Sequence, residues 1–153
     1  MDFRLPVVSL LLFSLRIASG QSAPADPWRE ADLLKPAELA ARLKDAHAPK
    51  PKVFYVGFRV LYRSKHIPGS VFTGPTSKQE GLEALRAAVL KLPRREEIII
   101  YCGCCPWRSC PNVRPAFLML RELGFERVRV LDLPTTFLKE WIEKGYPVAQ
   151  GEE

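Results

Sequence analysis

The stretch Ile98-Ile-Ile-Tyr101 runs directly into the loop Cys102-Gly-Cys-Cys-Pro-Trp-Arg-Ser-Cys110. The residues before the loop are β-branched or aromatic, and such a short apolar run predicts a buried strand. The loop holds all four cysteines of the chain. We therefore expect a cysteine-rich loop at the carboxyl end of a central strand.

Strands and helices alternate along the sequence on both sides of this junction. Short apolar runs predict strands at residues 53–56, 70–72, 97–101 and 127–131. Apolar residues at helical spacing predict helices at residues 35–44, 79–91, 116–124 and 137–144. This alternation indicates a single α/β domain with a mainly parallel sheet flanked by helices. Ligands of such domains bind at the carboxyl ends of the strands, where the cysteine loop lies.

The place of this loop between a strand and a helix favours thiolate chemistry. Free backbone N–H groups and the positive pole of the following helix stabilise a thiolate, and they lower the pKa of a thiol between the two elements. A small anion also suits the local excess of positive charge at Arg108 and Arg114. The loop is therefore the first candidate for an active site.

Other uses of the cysteines remain open at this point. Cys104, Cys105 and Cys110 are candidates for structural disulfides, or for a thiol that resolves a bond to Cys102. Four cysteines allow three connectivities, and the one that joins Cys104 to Cys105 requires a strained bond. Soft metals such as Cu(I) and Zn(II) select thiolates, but this spacing is not a usual zinc pattern and no histidine is near in sequence. We predict neither a bound metal nor a cofactor.

The amino-terminal segment is typical of an export signal. Arg4 precedes the apolar stretch Leu5-Pro-Val-Val-Ser-Leu-Leu-Leu-Phe-Ser-Leu15, and Ala18-Ser-Gly20 supplies the small residues of a cleavage site. This stretch is too short to span a bilayer, so we expect no stable membrane insertion; an uncleaved anchor is the alternative. We predict a signal peptide at 1–20, a linker at 21–32, a domain at 33–150 and a periplasmic or extracellular location.

The net charge of +6 falls by one when residues 1–20 are removed, because two arginines and one aspartate leave with them. The remaining basic residues are scattered and do not interleave with aromatic residues, as a nucleic-acid groove would require. We therefore predict no nucleic-acid partner.

Four motifs together resemble the rhodanese (sulfurtransferase) family over residues 33–148. In chain order they are the turn His66-Ile-Pro-Gly-Ser-Val71, the strand Ile98-Ile-Ile-Tyr-Cys102, the pair Leu120-Arg-Glu-Leu-Gly-Phe125 and Val128-Arg-Val-Leu131, and the closing segment Trp141-Ile-Glu-Lys-Gly-Tyr-Pro-Val148. The resemblance implies a single rhodanese-like domain. It also implies that His66 belongs to a structural turn.

The resemblance implies sulfur transfer. A cysteine thiolate takes the outer sulfur of a small anion such as thiosulfate, and a thiol acceptor or partner protein removes it from the persulfide. Cys102 matches the family's nucleophile, and Arg108 is the first choice to hold the anion, with Arg114 second. Gly103 would let the backbone turn closely around the sulfur. Trp107 would shield the persulfide from water or contact a partner.

The sequence departs from the family pattern at three places. Tyr55-Val-Gly-Phe-Arg59 stands where the family has Asp-Val-Arg, and Leu133-Pro-Thr-Thr136 replaces its Gly-Gly. The active loop is also longer than usual, since Arg108 comes six residues after Cys102. The alternative function is therefore a non-catalytic or redox thiol module that binds a soft metal or exchanges disulfides with a partner. We further expect Asn112 to cap the helix that carries Arg114.

Overall fold

The computed structural model describes Met1 and residues 26–152. Its strands are β1 (Leu33–Leu34), β2 (Lys52–Tyr55), β3 (Val71–Phe72), β4 (Glu97–Tyr101) and β5 (Arg127–Leu131). They form a five-stranded sheet in the order β1-β5-β4-β2-β3, and every neighbouring pair is parallel. The predicted α/β class with a parallel sheet is confirmed.

Four α-helices connect these strands in the described part of the chain. They are α1 (Pro36–Lys44), α2 (Arg59–Ser64), α3 (Gln79–Val89) and α4 (Val113–Glu122). Shorter helical turns occur at Glu30–Asp32, Trp107–Ser109 and Leu138–Ile142. Helix α1 begins at a proline, which has no N–H to lose and a φ angle already suited to the first turn. No helix of residues 26–152 is long and apolar enough to cross a bilayer.

Strand β4 lies inside the sheet and is buried along its whole length. Ile98 and Ile100 pack on one face with residues of α3 and α4, whereas Ile99 and Tyr101 pack on the other with Leu39 and Trp141. A strand covered on both faces needs apolar residues at every position. This requirement explains the continuous run of isoleucines before the cysteine loop.

The register between β2 and β4 determines what stands beside the cysteine loop. Tyr55 is opposite Tyr101, and the Val56 N–H donates a 2.9 Å hydrogen bond to the Tyr101 carbonyl. Gly57 and Cys102 therefore leave the sheet side by side at its carboxyl edge. This is the edge at which ligands of parallel sheets bind.

The structure differs from the sequence-based expectations in several elements. Helix α4 begins at Val113 rather than at residue 116, and the last predicted helix, 137–144, is a π-helical turn at Leu138–Ile142. Strand β1 and helix α2 were not predicted, because two residues and six residues carry too little periodicity to be recognised.

The amino-terminal segments are only partly described. The predicted signal peptide lies outside the described residues apart from Met1. Within the predicted linker, Trp28 is buried, and its ring packs edge-on against Trp107 and Phe117. This part of the linker therefore packs on the domain. The boundaries at residues 20 and 32 stay predictions.

The turn that begins at His66 is structural, as expected. The side chain is fully buried, and its Nδ1 lies 2.8 Å from the Tyr62 carbonyl oxygen. Its ring stacks on the Tyr62 ring at 3.9 Å, and its backbone pairs with Ala149. His66 thus joins the end of α2 to the carboxyl-terminal segment, away from the cysteine loop.

Candidate active site

The four cysteines form one cluster of free thiols at the carboxyl end of β4. The Sγ atoms of Cys102 and Cys104 are 3.3 Å apart, and those of Cys104 and Cys105 are 3.2 Å apart. The Sγ atoms of Cys102, Cys104 and Cys110 all lie within 4.8 Å of one another. Cys102 and Cys110 are buried, whereas Cys104 is exposed. The cluster therefore extends from the interior to the surface.

Cys110 comes just before α4 and meets the free N–H groups of that helix. Its sulfur lies within 4.8 Å of the Cys102 sulfur, beside the backbone N–H groups of Asn112 and Val113. The interaction with the Cys102 thiol is the largest cause that lowers the pKa of Cys110, to about 6, and the backbone N–H groups lower it further. These neighbours favour the thiolate form of Cys110.

The predicted low-pKa thiol is thus Cys110 and not Cys102, the expected nucleophile. The interaction with Cys110 is the main cause that raises the pKa of Cys102, and burial of its sulfur raises it too. The physical reason is the earlier start of α4, which brings the positive helix pole to the cysteine nearest to Val113. Cys102 is therefore the member of the pair that favours its protonated form.

Asn112 supports Cys102 instead of capping α4, so the capping prediction is wrong. Its side chain makes no cap hydrogen bond to the helix. The side-chain nitrogen lies 3.6 Å from the Cys102 Sγ, and the side-chain oxygen accepts a 3.0 Å hydrogen bond from the Ser77 N–H. Asn112 is fully buried, and it links the sulfur to the segment that precedes α3.

The Cys102 sulfur and the Tyr55 hydroxyl both pack closely against Gly57. A Cβ atom at Gly57 would lie 2.8 Å from the Cys102 Sγ and 2.9 Å from the Tyr55 hydroxyl oxygen. Real Cβ atoms do not approach other atoms so closely, so a side chain at this position would displace one of the two groups. The absence of a side chain lets the sulfur and the hydroxyl lie against the same backbone atom.

The Tyr55 hydroxyl is a buried polar group with unused hydrogen-bonding capacity. Tyr55 is 1% exposed, and its hydroxyl has no hydrogen-bond partner of normal geometry among the described residues. Burial raises the pKa of this phenol, and the neighbouring Cys102 raises it further. The group therefore keeps its proton. Because buried hydroxyl groups are normally paired, this one marks a place for a ligand atom.

An apolar cleft of about 220 Å³ lies beside the cysteine loop and reaches it at Gly103. Tyr55 and Gly103 form its inner end, Phe137 and Leu61 line its sides, and half-buried Lys65 supplies its positive charge. A Cβ atom at Gly103 would lie 3.3 Å from the Phe137 Cβ and 3.5 Å from the Tyr55 ring. Gly103 thus permits the close packing of Phe137 and Tyr55, and the close turn around the sulfur predicted for it stays a prediction.

The two predicted anion-binding arginines converge on Asp26. Arg114 Nη2 lies 2.6 Å from a carboxylate oxygen of Asp26, and Arg108 Nη1 lies 3.4 Å from the other. Arg108 is 72% exposed and covers the Trp107 ring at 4.5 Å. It lines a larger cleft of about 530 Å³, whose lining includes no cysteine. The structure therefore pairs Arg108 with a carboxylate, and its role in holding the anion stays a prediction.

Trp107 is buried, which excludes the idea that it is an exposed partner contact. Its indole N–H donates a 2.9 Å hydrogen bond to Asp132, and its backbone N–H donates one to the Leu133 carbonyl. Its ring packs in the same core cluster as Cys102 and Cys110. Trp107 thus anchors the cysteine loop to the segment that follows β5.

Sequence reasoning missed Tyr55, Gly57 and Lys65 as site residues. The signal for Gly57 was present, because it follows the buried strand β2 at the position where the family pattern is broken. The sequence pattern predicts Tyr55 only as part of a strand. Nothing in the sequence distinguished Lys65 from the other scattered lysines, because α2 brings it to the cleft only in the fold.

Comparisons with known proteins agree with this architecture. The family model described as a rhodanese-like domain matches residues 35–133. A search of curated proteins found no match. Among solved structures, the Alr3790 protein from Anabaena superposes with a TM-score of 0.58 and 23% identity, covering 77% of this chain and 92% of that one. The likeness at this identity concerns the fold alone.

Two further structures show the same architecture. The BH2092 protein from Bacillus halodurans has a TM-score of 0.57 and 23% identity, covering 76% of this chain and 75% of that one. Thiosulfate sulfurtransferase from Pseudomonas aeruginosa has a TM-score of 0.59 and 26% identity. That match covers 86% of this chain and 22% of the larger protein, so this chain corresponds to a minor part of it.

Proposed function

The chain belongs to the rhodanese-like domain family, and on this premise we propose that it is an exported sulfurtransferase that carries sulfur as a persulfide on Cys102. The donor is a small anion of the thiosulfate type, and the acceptor is a thiol. The observation that carries the proposal is the position of Cys102 at the carboxyl end of β4, with the Cys110 sulfur within 4.8 Å and the Asn112 side-chain nitrogen 3.6 Å from its sulfur.

The first step needs a base, and Cys110 is placed to act as one. As the Cys102 sulfur attacks the outer sulfur of thiosulfate, its proton passes to the Cys110 thiolate, whose sulfur lies within 4.8 Å. A sulfur–sulfur bond forms to Cys102 while the sulfur–sulfur bond of thiosulfate breaks. Sulfite leaves with the bonding electron pair. The products are the Cys102 persulfide anion, sulfite and the Cys110 thiol, so atoms and charge balance.

The persulfide anion is stabilised by hydrogen-bond donors that already surround the site. The outer sulfur accepts a hydrogen bond from the Tyr55 hydroxyl, which packs against Gly57 as the Cys102 sulfur does and has no partner of normal geometry among the described residues. The inner sulfur keeps the Asn112 side-chain nitrogen at 3.6 Å. Each hydrogen bond to a charged acceptor contributes about 1.5–3 kcal/mol net of the interactions with water that it replaces. These fixed donors favour the charged product over the neutral thiol.

The donor enters through the 220 Å³ cleft, where Lys65 offsets its negative charge. Arg108, the cation expected from the sequence, stays a prediction for this role. Its guanidinium would have to leave Asp26 to reach the anion. Lys65 is therefore the first choice on the geometry.

The test is a single-turnover measurement of sulfite. Reduced protein is mixed with excess thiosulfate without any acceptor, and free sulfite is measured against protein concentration. We expect about one sulfite per chain, the stoichiometry of a single nucleophile. Cys102→Ser abolishes this release, whereas Cys105→Ser, the matched control in the same loop, retains it. No release from the wild-type protein would refute the proposal.

Export is a separate part of the proposal and rests on the amino-terminal sequence alone. A signal peptide cleaved after Gly20 would leave Gln21 as the first residue of the mature chain. Mass spectrometry of the protein from its native host measures this directly. A soluble cytoplasmic chain that still carries Arg4 would contradict export and leave the sulfur chemistry untouched.

A second candidate function is soft-metal binding, which one observation favours. The Sγ atoms of Cys102, Cys104 and Cys110 lie within 4.8 Å of one another, close to the separation that a shared ion with bonds of about 2.3 Å requires. Protein purified without added metal or chelator would then contain about one copper or zinc ion per chain. Such protein would release no sulfite from thiosulfate until the metal is removed.

A further inference from the structure

The exposed Cys104 thiol contacts the sulfur that would carry the persulfide. Its Sγ lies 3.3 Å from the Cys102 Sγ, and the two residues belong to the same turn. Cys102 is 3% exposed, so an external thiol has little access to its sulfur. The loop thus has its own nucleophile at contact distance.

We propose that Cys104 attacks the Cys102 persulfide and releases its outer sulfur as sulfide. The proposal rests on persulfide formation at Cys102. A new bond forms between the Cys104 and Cys102 sulfurs, and the bond between Cys102 and the outer sulfur breaks. The outer sulfur takes the electron pair and leaves as HS⁻ with the proton of the Cys104 thiol. The two cysteines are oxidised to a disulfide, the outer sulfur is reduced, and atoms and charge balance.

Position selects Cys104 over the other two thiols. Cys105 is adjacent to Cys104 in sequence and contacts Cys104 at 3.2 Å, so Cys104 lies between it and Cys102. Cys110 is buried and its sulfur is held by backbone N–H groups of α4. Cys104 is the exposed member of the cluster, so a disulfide that includes it remains open to attack from solvent.

The exposed disulfide defines the class of partner that completes the cycle. A dithiol reductant attacks the Cys104 sulfur and forms a mixed disulfide with it. The second thiol of the partner then attacks this bond, so that the partner leaves as a disulfide and both cysteines are reduced. The overall reaction consumes thiosulfate and a dithiol and yields sulfite, sulfide and the oxidised partner.

The test measures sulfide and sulfite from the same anaerobic, fully reduced sample treated with thiosulfate in the absence of added thiol. We expect about one sulfide for each sulfite released by the wild-type protein, because each persulfide is resolved once. Cys104→Ser keeps the sulfite and lowers sulfide by at least about tenfold, since a serine hydroxyl cannot form a disulfide. Cys105→Ser, the matched control, keeps both products.

Peptide mapping identifies the resolving residue without any substitution. Trypsin cleaves after Arg95 and Arg108, so Cys102, Cys104 and Cys105 share one peptide and Cys110 falls in the next. After alkylation we expect a disulfide inside the first peptide and free Cys110. A cross-link between the two peptides would assign resolution to Cys110 and overturn the inference.

The outcomes separate this inference from the proposed function. Sulfite without sulfide, with a persulfide that persists in the wild-type protein, overturns resolution by Cys104 and leaves persulfide formation intact. The absence of both sulfite and sulfide overturns persulfide formation itself. Sulfide that persists in Cys104→Ser also overturns the inference.

Discussion

A side chain at residue 57 and the sulfur of Cys102 cannot occupy the site together, since a Cβ atom there would lie 2.8 Å from the Cys102 Sγ. The two residues leave neighbouring strands at the same level because Tyr55 pairs with Tyr101. Gly57 therefore fixes the space available to the reacting sulfur. The break in the family pattern at residues 55–59 lies within the site and affects its shape.

The close packing at Gly57 gives the first prediction. Gly57→Ala pushes a methyl group against the Cys102 sulfur and displaces it, so the rate of sulfite release falls by at least about tenfold, the effect of losing a positioned reaction geometry. Gly103→Ala is the comparison variant, because its Cβ would meet a carbon atom at 3.3 Å and narrow the cleft without contacting the sulfur. Equal rates for Gly57→Ala and the wild type would show that the position of the sulfur against Gly57 does not matter.

The Tyr55 hydroxyl gives the second prediction, which separates stability from activity. Tyr55→Phe removes a hydroxyl that has no partner of normal geometry in the described residues, so the free energy of unfolding changes by less than about 1 kcal/mol. The rate of sulfite release falls about tenfold or more, because the charged product loses a hydrogen bond that contributes about 1.5–3 kcal/mol. Urea unfolding and single-turnover kinetics measure the two quantities.

Tyr101→Phe is the control for that comparison. The Tyr101 hydroxyl accepts a 2.9 Å hydrogen bond from the Ile67 N–H and lies 3.3 Å from the Ser70 hydroxyl. Its removal leaves a buried N–H without an acceptor and costs about 1–3 kcal/mol of stability. A loss of stability in Tyr55→Phe as large as in Tyr101→Phe would contradict the role given to Tyr55.

The fold was largely predictable because its signals are local and repeated. The run Ile98-Ile-Ile-Tyr101 is apolar at every position since both faces of β4 are covered, and this pattern is visible without a structure. Helix α2 and strand β1 carried no such signal. Contacts with the neighbouring elements of the fold, and not a local sequence pattern, determine the structure of these residues.

The chemistry of the site was less predictable than its location. The sequence placed all four cysteines at one strand end, but the proton distribution depends on where α4 begins. A start three residues earlier than expected directs the helix N–H groups to Cys110. Likewise, Arg108 and Arg114 looked available for an anion until the structure placed Asp26 between them.

The Cys110 thiolate gives a prediction on pH dependence. The pKa of Cys110 is lowered to about 6, so the base is present above this pH and is lost by protonation below it. The rate of sulfite release therefore rises with pH through about 6 and is level at neutral pH. Stopped-flow measurement over this range gives the midpoint.

Cys110→Ser is the matched variant for the pH profile. Serine cannot accept the proton, so Cys102 must ionise unaided and the rate at pH 7 falls by at least about tenfold. The midpoint of the pH profile of sulfite release moves up toward the pKa of an ordinary thiol, about 8.5. An unchanged midpoint in Cys110→Ser would assign the observed ionisation to another group.

The cleft cation gives a prediction on donor affinity. Lys65→Ala raises the KM for thiosulfate by about 2- to 5-fold with little change in kcat, as expected for an ion pair at a partly exposed site. Arg108→Ala raises the KM for thiosulfate less, since Asp26 already offsets the charge of the Arg108 guanidinium. A larger effect from Arg108→Ala would return the anion-binding role to the residue that the sequence favoured. High salt should reduce the difference between the variants.

The most direct test of the central claim is to locate the transferred sulfur atom. Cys104→Ser is treated with thiosulfate, alkylated and digested with trypsin, because this variant retains a persulfide that the wild type would resolve. The account predicts one additional sulfur atom on Cys102 in the peptide that follows Arg95. The extra sulfur on Cys110 or Cys105, with Cys102 unmodified, would contradict it.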